Sequence, residues 1–345
     1  MPSQNNIDKR RAVPDAGYSR PVVIIGTVSL DTIHFWDANH DNQTGVQFEL
    51  GGVGKHVACV LGALGQSPYF VSARFTGEMG QAVSNVFMGN QVIWQPLDEQ
   101  ARFSSFEAHI DSAGQVFTES FVVGESLALL TPDRIRRQPA VAAANVLVGC
   151  TNLTVAAMQA LVATARTKNA PFWLVTSSNQ EAPRLRQLLL ELRPQDGKID
   201  LLSLNREELE LLVDHRLETV AEIAAAASNI SQSVGHCLVT LGSQGALLAD
   251  YGAAYVDYQA VVPISGRSPV GGGDCLFASL LAARLQGQPW AAALNFAAQC
   301  TRRYLLRDMN SMTPYASLRP SEAANASILS TPFPAIEKVF LNHDH

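Results

Sequence analysis

The sequence lacks the features of secreted, membrane-spanning and nucleic-acid-binding proteins. Its five cysteines are odd in number and widely spaced, so they predict neither a disulfide framework nor a CxxC metal site. No apolar run reaches the roughly 18 residues of a membrane span. Residues 1–20 lack the apolar segment of a signal peptide. A net charge of −6 argues against a nucleic-acid-binding surface. We therefore expect a cytoplasmic protein with neither nucleic-acid nor membrane partners.

Two common nucleotide-binding motifs are also missing. The loop at 51–54 carries three glycines before an apolar helix, but a Walker A motif would need glycine where Glu49 stands and serine or threonine where His56 stands. A dinucleotide fingerprint would need glycine in place of Val57. These mismatches speak against a P-loop and against a nicotinamide-dependent dehydrogenase. The glycine turn is instead interpreted as a loop that approaches a sugar, or as a plain helix entry.

What is present is an alternation of apolar strands and helices. The β-branched run at 22–25 ends at Gly26 and is typical of a buried parallel strand. After residue 145 the predicted strands are 145–149, 172–176, 200–204, 236–241 and 246–250. The predicted helices there are 154–168, 181–193, 206–214, 219–233, 275–286 and 289–304. This alternation predicts an α/β fold with a mainly parallel central sheet covered on both faces.

Two other segments have a different pattern. Residues 33–50 and 102–123 are predicted to form exposed strands, the second as a hairpin turning at 111–114. Together they could make a small strand-built lid that closes over a substrate and excludes water. We predict a domain at 21–313 with the lid inserted in it, a flexible N-terminal tail at 1–20 and a C-terminal tail at 314–345.

The most informative stretch is the glycine run at 271–273, followed by Asp274 and an apolar helix. Glycine amides approach an anion closely, and a helix N-terminus offers unpaired N–H groups and a partial positive charge. Asp274 would then be a candidate general base beside a candidate phosphate site. The alternative is that Asp274 only caps a helix after a flexible turn.

Other polar residues follow predicted strands. Asp31 lies five residues after Gly26, at the end of a strand where open α/β sheets bind ligands, although it could also be a turn residue. Asn205 and Glu208 begin a helix and could together face Mg²⁺, or could form a capping pair. Thr240 ends a predicted strand and could offer its hydroxyl to a nucleotide, or could mark a simple strand-to-turn transition.

These motifs together resemble the ribokinase-like PfkB family of carbohydrate and nucleoside kinases. The matching segments, in the family's order, are Gly51-Gly52-x-Gly54, Asn205-x-x-Glu208, Val239-Thr240-Leu241-Gly242 and Gly271-Gly272-Gly273-Asp274. The resemblance covers about residues 21–310. It implies a ribokinase-like three-layer sandwich with a β-strand lid, which transfers phosphate from ATP to a hydroxyl group.

The resemblance also implies a role for each matching residue. Asp274 would take the proton from the attacking hydroxyl, and Gly271, Gly272 and Gly273 would stabilise charge on the transferring phosphoryl group. The acceptor would be held by Asp31, Gly51, Gly52, Gly54, Lys55 and His56. The nucleotide would contact Asn205, Thr240, Gly242 and Gly245. Mg²⁺ would be held by Glu208 and Asn205, through water.

Within the family, the loop at 51–58 and the segments 130–133 and 181–185 resemble pseudouridine kinases, so pseudouridine is the expected acceptor. Ribose, fructose, adenosine and sugar phosphates stay open as acceptors, as does a weakly catalytic binding or regulatory protein. His56 stands where asparagine is usual. Ser268-Pro269-Val270 replaces a frequent Asp-Thr-Thr, which leaves activation by K⁺ open. Lid strands in this family can pair between subunits, so a homodimer through the lid is a further expectation.

Overall fold

The computed structural model describes residues 21–193, 196–251, 253–262, 264, 268–307, 315–319 and 334–341. The strands of its larger sheet are β1 (Val22–Ile25), β4 (Tyr69–Arg74), β5 (Ile93–Gln100), β8 (Val146–Cys150), β9 (Phe172–Val175), β10 (Leu201–Asn205), β11 (His236–Thr240), β12 (Ala246–Asp250), β13 (Tyr255–Gln259) and β14 (Ile336–Phe340). The smaller sheet contains β2 (Ser29–Trp36), β3 (Gln43–Gly51), β6 (Ser104–Ile110) and β7 (Val116–Val122).

Eleven α-helices connect these strands within the described residues. They are α1 (Val53–Ala63), α2 (Gly77–Gly89), α3 (Glu125–Ala128), α4 (Pro132–Arg136), α5 (Pro139–Ala143), α6 (Val155–Lys168), α7 (Ala182–Glu191), α8 (Arg206–Val213), α9 (Val220–Ser231), α10 (Gly272–Leu285) and α11 (Trp290–Leu305). In the described part of the chain, none of the helices is both long and apolar enough to cross a membrane.

The larger sheet has the order β14-β13-β12-β11-β10-β9-β8-β1-β4-β5. Its strands from β11 to β5 are parallel, whereas β12, β13 and β14 add to one side in antiparallel pairing. The mainly parallel sheet is therefore confirmed. The five strands predicted between 145 and 250 are confirmed to within one residue.

Helices cover both faces of this sheet because its strands are apolar on both sides. In β1, Val22 and Ile24 pack into the core beneath α1, α10 and α11. Val23 and Ile25 point the other way, into the core shared with α6 and α9. This arrangement is the predicted three-layer sandwich, with one apolar core on each face.

The smaller sheet, which we call the lid, has the order β3-β2-β6-β7. The hairpin predicted at 102–123 is the antiparallel pair β6–β7, and the segment at 33–50 contributes most of β2 and β3. Because side chains alternate along a strand, Asp31 on β2 shares one face with Phe106 on β6 and Phe121 on β7. That inner face lines the cavity described below.

The C-terminal region differs from the prediction of a tail at 314–345. Ile336–Phe340 forms β14, which pairs with β13 at the edge of the larger sheet. Tyr315 is buried and packs against Tyr304 of α11, with ring centroids 5.9 Å apart. The Ser-, Ala- and Pro-rich composition of this region favoured a tail, so these short ordered segments were not predicted from the sequence. The predicted tail at 1–20 lies outside the described residues.

Candidate active site

A cavity of about 950 Å³ lies between the lid and the carboxyl ends of the central strands. Most of the predicted site residues line it, although they come from five separate parts of the chain. They are Asp31, Gly52, His56, Asn205, Glu208, Thr240, Gly242, Gly245, Gly271, Gly272, Gly273 and Asp274. Three predicted residues, Gly51, Gly54 and Lys55, are not among the residues that line the cavity.

The glycine run forms the N-terminus of α10, three residues earlier than predicted. Gly271 has φ +76°, and a Cβ there would lie 2.5 Å from the hydroxyl of Tyr304. A Cβ on Gly273 would meet nothing within 4 Å, so that residue borders open space in the cavity. The amides of Gly273 and Asp274 belong to the first helical turn, where N–H groups have no intrahelical partner. The turn is thus shaped to receive an anion.

Asp274 lies within this turn, and its surroundings disfavour its charged form. Burial is the main cause that raises its pKa, to about 7, and the negative charges of Asp31 and Glu208 raise it further. The positive charge of Lys55 acts in the opposite direction. A carboxyl group with a pKa near neutral can accept a proton from a hydroxyl and release it again.

Asp31 lies at the lid end of the cavity and is 4% exposed. Burial raises its pKa to about 6, against a lowering effect of the hydrogen bond that Ser29 donates to Oδ1 at 2.5 Å. The space for its carboxyl group exists because Gly51 has no side chain. A Cβ on Gly51 would lie 1.8 Å from Oδ2 of Asp31.

Gly52 and Gly54 begin helix α1 in tight packing. Gly52 has φ +100°, and a Cβ there would lie 2.5 Å from the carbonyl oxygen of Thr27. A Cβ on Gly54 would lie 3.1 Å from the ring of Phe70 and 3.3 Å from the Cα of Gly26. Gly54 therefore allows α1 to approach β1, and only Gly52 borders the cavity.

Lys55 and His56 are both buried at the start of α1. Lys55 donates to the hydroxyl of Tyr315 at 3.2 Å, and its ammonium group lies 5.5 Å from the centre of that ring. Nδ1 of His56 lies 2.5 Å from the same hydroxyl. Burial, helped by the charges of Lys55 and Arg307, keeps the pKa of His56 well below its usual range, so the imidazole is neutral.

Asn205 and Glu208 form the capping box of α8. The amide N–H of Glu208 donates to Oδ1 of Asn205 at 2.8 Å, and the amide N–H of Asn205 donates to Oε2 of Glu208 at 2.7 Å. Thr176 also donates its hydroxyl to Oε2 at 2.5 Å. The alternative that these residues form a capping pair is thus confirmed, and both side chains also line the cavity.

The carboxyl group of Glu208 lies close to other acidic groups. Its pKa is raised by burial, while the donors on Thr176 and Asn205 lower it and the charges of Glu119 and Glu207 raise it. Burial and the charge of Glu207 also raise the pKa of Glu119, which is on lid strand β7. The lid therefore adds a negative charge to this end of the cavity, which the sequence did not indicate.

Thr240 ends β11, and Gly242 and Gly245 lie in the turn between β11 and β12. Gly242 and Gly245 have positive φ angles of +56° and +111°. A Cβ on Gly245 would lie 2.0 Å from the carbonyl oxygen of Gln259 on β13. Both glycines let the backbone fold tightly at the cavity edge.

Sequence reasoning missed several polar cavity residues. Asn152 and Glu181 follow β8 and β9, and Oδ1 of Asn152 is buried without a partner among the described residues. Arg184 pairs with Glu181 and donates to the carbonyl oxygens of Thr151 and Asn152 at 3.1 and 3.0 Å. The signal that could have found them is their position just after predicted parallel strands.

Three side chains of the kinds that bind metal ions, His34, Glu107 and His109, lie close together on the outer face of the lid. Ring nitrogens of His34 and His109 and an oxygen of Glu107 lie within 4.8 Å of one another. Trp36 donates its indole N–H to Nδ1 of His109 at 2.9 Å, which places the proton of that neutral ring on Nε2. His109 therefore faces Glu107 as a hydrogen-bond donor and not as a metal ligand.

The fold and cavity define an α/β protein in which a carboxyl group of raised pKa lies at a glycine-rich helix N-terminus, in a cavity beneath a strand lid. A family model described as pfkB family carbohydrate kinase matches residues 19–303. The chain therefore belongs to the pfkB family of carbohydrate kinases. It is a phosphotransferase that acts on a hydroxyl of a sugar or nucleoside, and the family implies the use of ATP.

Three relatives illustrate the likeness. The chain is 23% identical to pseudouridine kinase of Escherichia coli strain K12 over 294 residues, which cover 81% of this chain and 88% of the relative. Ribokinase of Arabidopsis thaliana, solved with ribose and ATP, superposes with a TM-score of 0.68 at 19% identity, covering 91% and 99% of the two chains. For adenosine kinase of Sinorhizobium meliloti the TM-score is 0.71 at 14% identity, covering 86% and 98%.

Proposed function

We propose that this chain phosphorylates pseudouridine on a hydroxyl group, giving pseudouridine 5'-phosphate, with Asp274 as the general base. The observation that carries the catalytic part is the position of Asp274. It lies at the glycine-rich N-terminus of α10, in the same cavity as Asp31, and its pKa is raised mainly by burial and further by the charge of Asp31. A base beside both an anion site and a polyol site is what phosphoryl transfer to a hydroxyl requires.

In this proposal the cavity has an acceptor end and a nucleotide end. Asp31 and His56 bind the acceptor. Gly51, Gly52 and Gly54 give that end its shape, and Lys55 contributes a positive charge to it. Thr240, Gly242, Gly245 and Asn205 contact the nucleotide. Gly271, Gly272 and Gly273 stabilise negative charge on the transferring group, while Asp274 takes the proton of the attacking hydroxyl. The lid excludes water from this site.

Mg²⁺ fits the nucleotide end on the chemistry of its donors. Oε2 of Glu208 already accepts hydrogen bonds from Thr176 and Asn205, so we assign Glu208 and Asn205 to hold the ion through water. The charges of Glu119 and Glu207 raise the pKa of Glu208, and a divalent cation would relieve this repulsion. Bound there, Mg²⁺ would neutralise phosphate charge.

The choice of pseudouridine rests on the likeness to the Escherichia coli kinase and on the matching loop at 51–58. Ribose, fructose, adenosine and fructose phosphates are the alternative acceptors. The test is ATP consumption with Mg²⁺ across a panel of these compounds and uridine, run in parallel in K⁺ and Na⁺ buffers. Selective turnover of pseudouridine supports the proposal. Selective turnover of another acceptor contradicts the substrate, and ATP binding without turnover favours a regulatory protein.

We also propose that the protein is cytoplasmic and pairs through the lid into a homodimer. The outer face of the lid exposes apolar side chains on neighbouring strands. These are Leu30, Val46, Phe48 and Val122, with exposed fractions of 38%, 40%, 78% and 65%. Light scattering after size exclusion should give the mass of two chains, and Phe48→Ser should give one. A monomeric unsubstituted protein would contradict the dimer.

A further inference from the structure

Tyr315 connects the C-terminal segment to the acceptor end of the cavity. Its side chain is 1% exposed, and its ring stacks on that of Tyr304 with an angle of 18° between the planes. Its hydroxyl is the meeting point of two residues from the start of α1. The oxygen lies 3.2 Å from Nζ of Lys55 and 2.5 Å from Nδ1 of His56.

The direction of these hydrogen bonds follows from the chemistry of the groups. An ammonium group has only donors, so Lys55 donates to the oxygen of Tyr315. The phenol keeps one proton, because burial holds the pKa of Tyr315 well above its usual range. If Nδ1 of His56 also donated to that oxygen, the phenolic proton would lack an acceptor among the described residues, which is costly in a buried site. Tyr315 therefore donates to Nδ1.

This direction determines which nitrogen of His56 carries its proton. The imidazole is neutral, so an accepting Nδ1 leaves the proton on Nε2. Nε2 is buried, and it has no hydrogen-bond partner in the described part of the chain. His56 lines the cavity, and one of its ring nitrogens lies within 4.8 Å of carboxyl oxygens of Asp31 and Glu49.

We propose that Tyr315 is a positioning residue that holds His56 in the Nε2–H tautomer, and that this N–H donates to an oxygen of the acceptor substrate. Asp31, whose carboxyl group lies close to His56, lines the same cavity. The site thus recognises a hydroxyl-bearing acceptor through the N–H donor of His56 and the carboxyl group of Asp31. This inference rests on the proposed function and specifies its acceptor recognition.

The tautomer can be measured without any turnover. In protein labelled with ¹⁵N-histidine, the His56 signals are assigned by their loss in His56→Gln. We expect Nδ1 to be unprotonated and Nε2 protonated at neutral pH. Tyr315→Phe keeps the ring packing and should abolish this single tautomer, whereas Tyr255→Phe on β13 should leave it unchanged. Protonation of Nδ1 in the unsubstituted protein, or an unchanged spectrum in Tyr315→Phe, would overturn the proposal.

Kinetics provide the second readout. Tyr315→Phe should raise KM for the acceptor about tenfold and leave kcat and KM for ATP within about twofold. In a His56→Gln background the same substitution should have little further effect, because Tyr315 acts through His56. An additive loss in the double variant would contradict this role. A protein that turns over none of the acceptors but shows the Nε2–H tautomer contradicts the proposed function and supports the assignment to Tyr315.

Discussion

The backbone of Gly51 is packed directly against the carboxyl group of Asp31. Gly51 ends β3 opposite Ser29, the residue that donates to Oδ1 of Asp31. A Cβ at Gly51 would lie 1.8 Å from Oδ2, 2.0 Å from Cγ and 2.2 Å from Oδ1 of Asp31. The absence of a side chain at Gly51 therefore makes room for the acidic side chain of Asp31 at this end of the cavity.

Gly51→Ala should therefore displace Asp31. We expect a loss of about 1–3 kcal/mol in the free energy of unfolding, as for overpacked cores, and a higher KM for the acceptor. Gly89→Ala in α2 is the matched control, since a Cβ there meets nothing within 4 Å. The control should be neutral or stabilising by about 0.5–1 kcal/mol. Equal effects of the two substitutions in urea unfolding and kinetics would contradict this account.

Two capping boxes in the described part of the chain allow an effect on stability to be distinguished from an effect on catalysis. Asn205 caps α8 at the cavity, whereas Thr219 caps α9 away from it. Asn205→Ala and Thr219→Ala should each lower the free energy of unfolding by about 1 kcal/mol. Only Asn205→Ala should also lower kcat and raise the Mg²⁺ concentration needed for half-maximal activity. A Thr219→Ala enzyme with the same Mg²⁺ defect would show that the effect is purely structural.

The rate should depend on the ionisation of Asp274. A base must be unprotonated to accept a proton, and its pKa is about 7. We therefore expect kcat/KM to rise with pH up to about 7 and then level off, with a value at pH 5 about 100-fold below the plateau. A profile that is flat between pH 5 and 8 would be inconsistent with Asp274 as the base.

The same raised pKa values predict how stability changes with pH. The pKa of Asp274 is about 7 and that of Asp31 about 6, against an ordinary value of 3.8. Between about pH 3.8 and pH 7 these two carboxyl groups bind more protons in the folded state than in the unfolded state. They therefore make the free energy of unfolding fall as pH rises. Asp274→Asn should therefore be more stable than the parent at pH 8 and lose this advantage towards pH 4. Urea unfolding of both proteins at several pH values tests this prediction. A difference in the free energy of unfolding that stays constant with pH would contradict it.

The core of the fold could be predicted from the sequence because its strands are apolar runs between helical segments. Residues 22–25, for example, have only β-branched side chains and are buried on both faces. The strands β5, β13 and β14 were missed. In β14 two residues are half-buried and three are exposed at a sheet edge, so Ile336–Phe340 offered no continuous apolar run.

The candidate site was predictable where local chemistry is unusual, as in the glycine run before Asp274. It was not predictable where it depends on distant parts of the chain. Nothing in the sequence around Tyr315 indicates that its hydroxyl would meet His56, which is 259 residues away. Likewise, Glu119 reaches the cavity only because the lid folds over Glu208.

The central claim is that Asp274 is the base of a phosphoryl transfer to a sugar or nucleoside hydroxyl. The most direct measurement compares kcat of the parent and of Asp274→Asn, on the acceptor selected from the panel, with acceptor and ATP affinities measured by calorimetry. We predict that kcat falls by roughly 10²–10⁴-fold while both ligands still bind. An Asp274→Asn enzyme that keeps the parent's kcat would contradict the account.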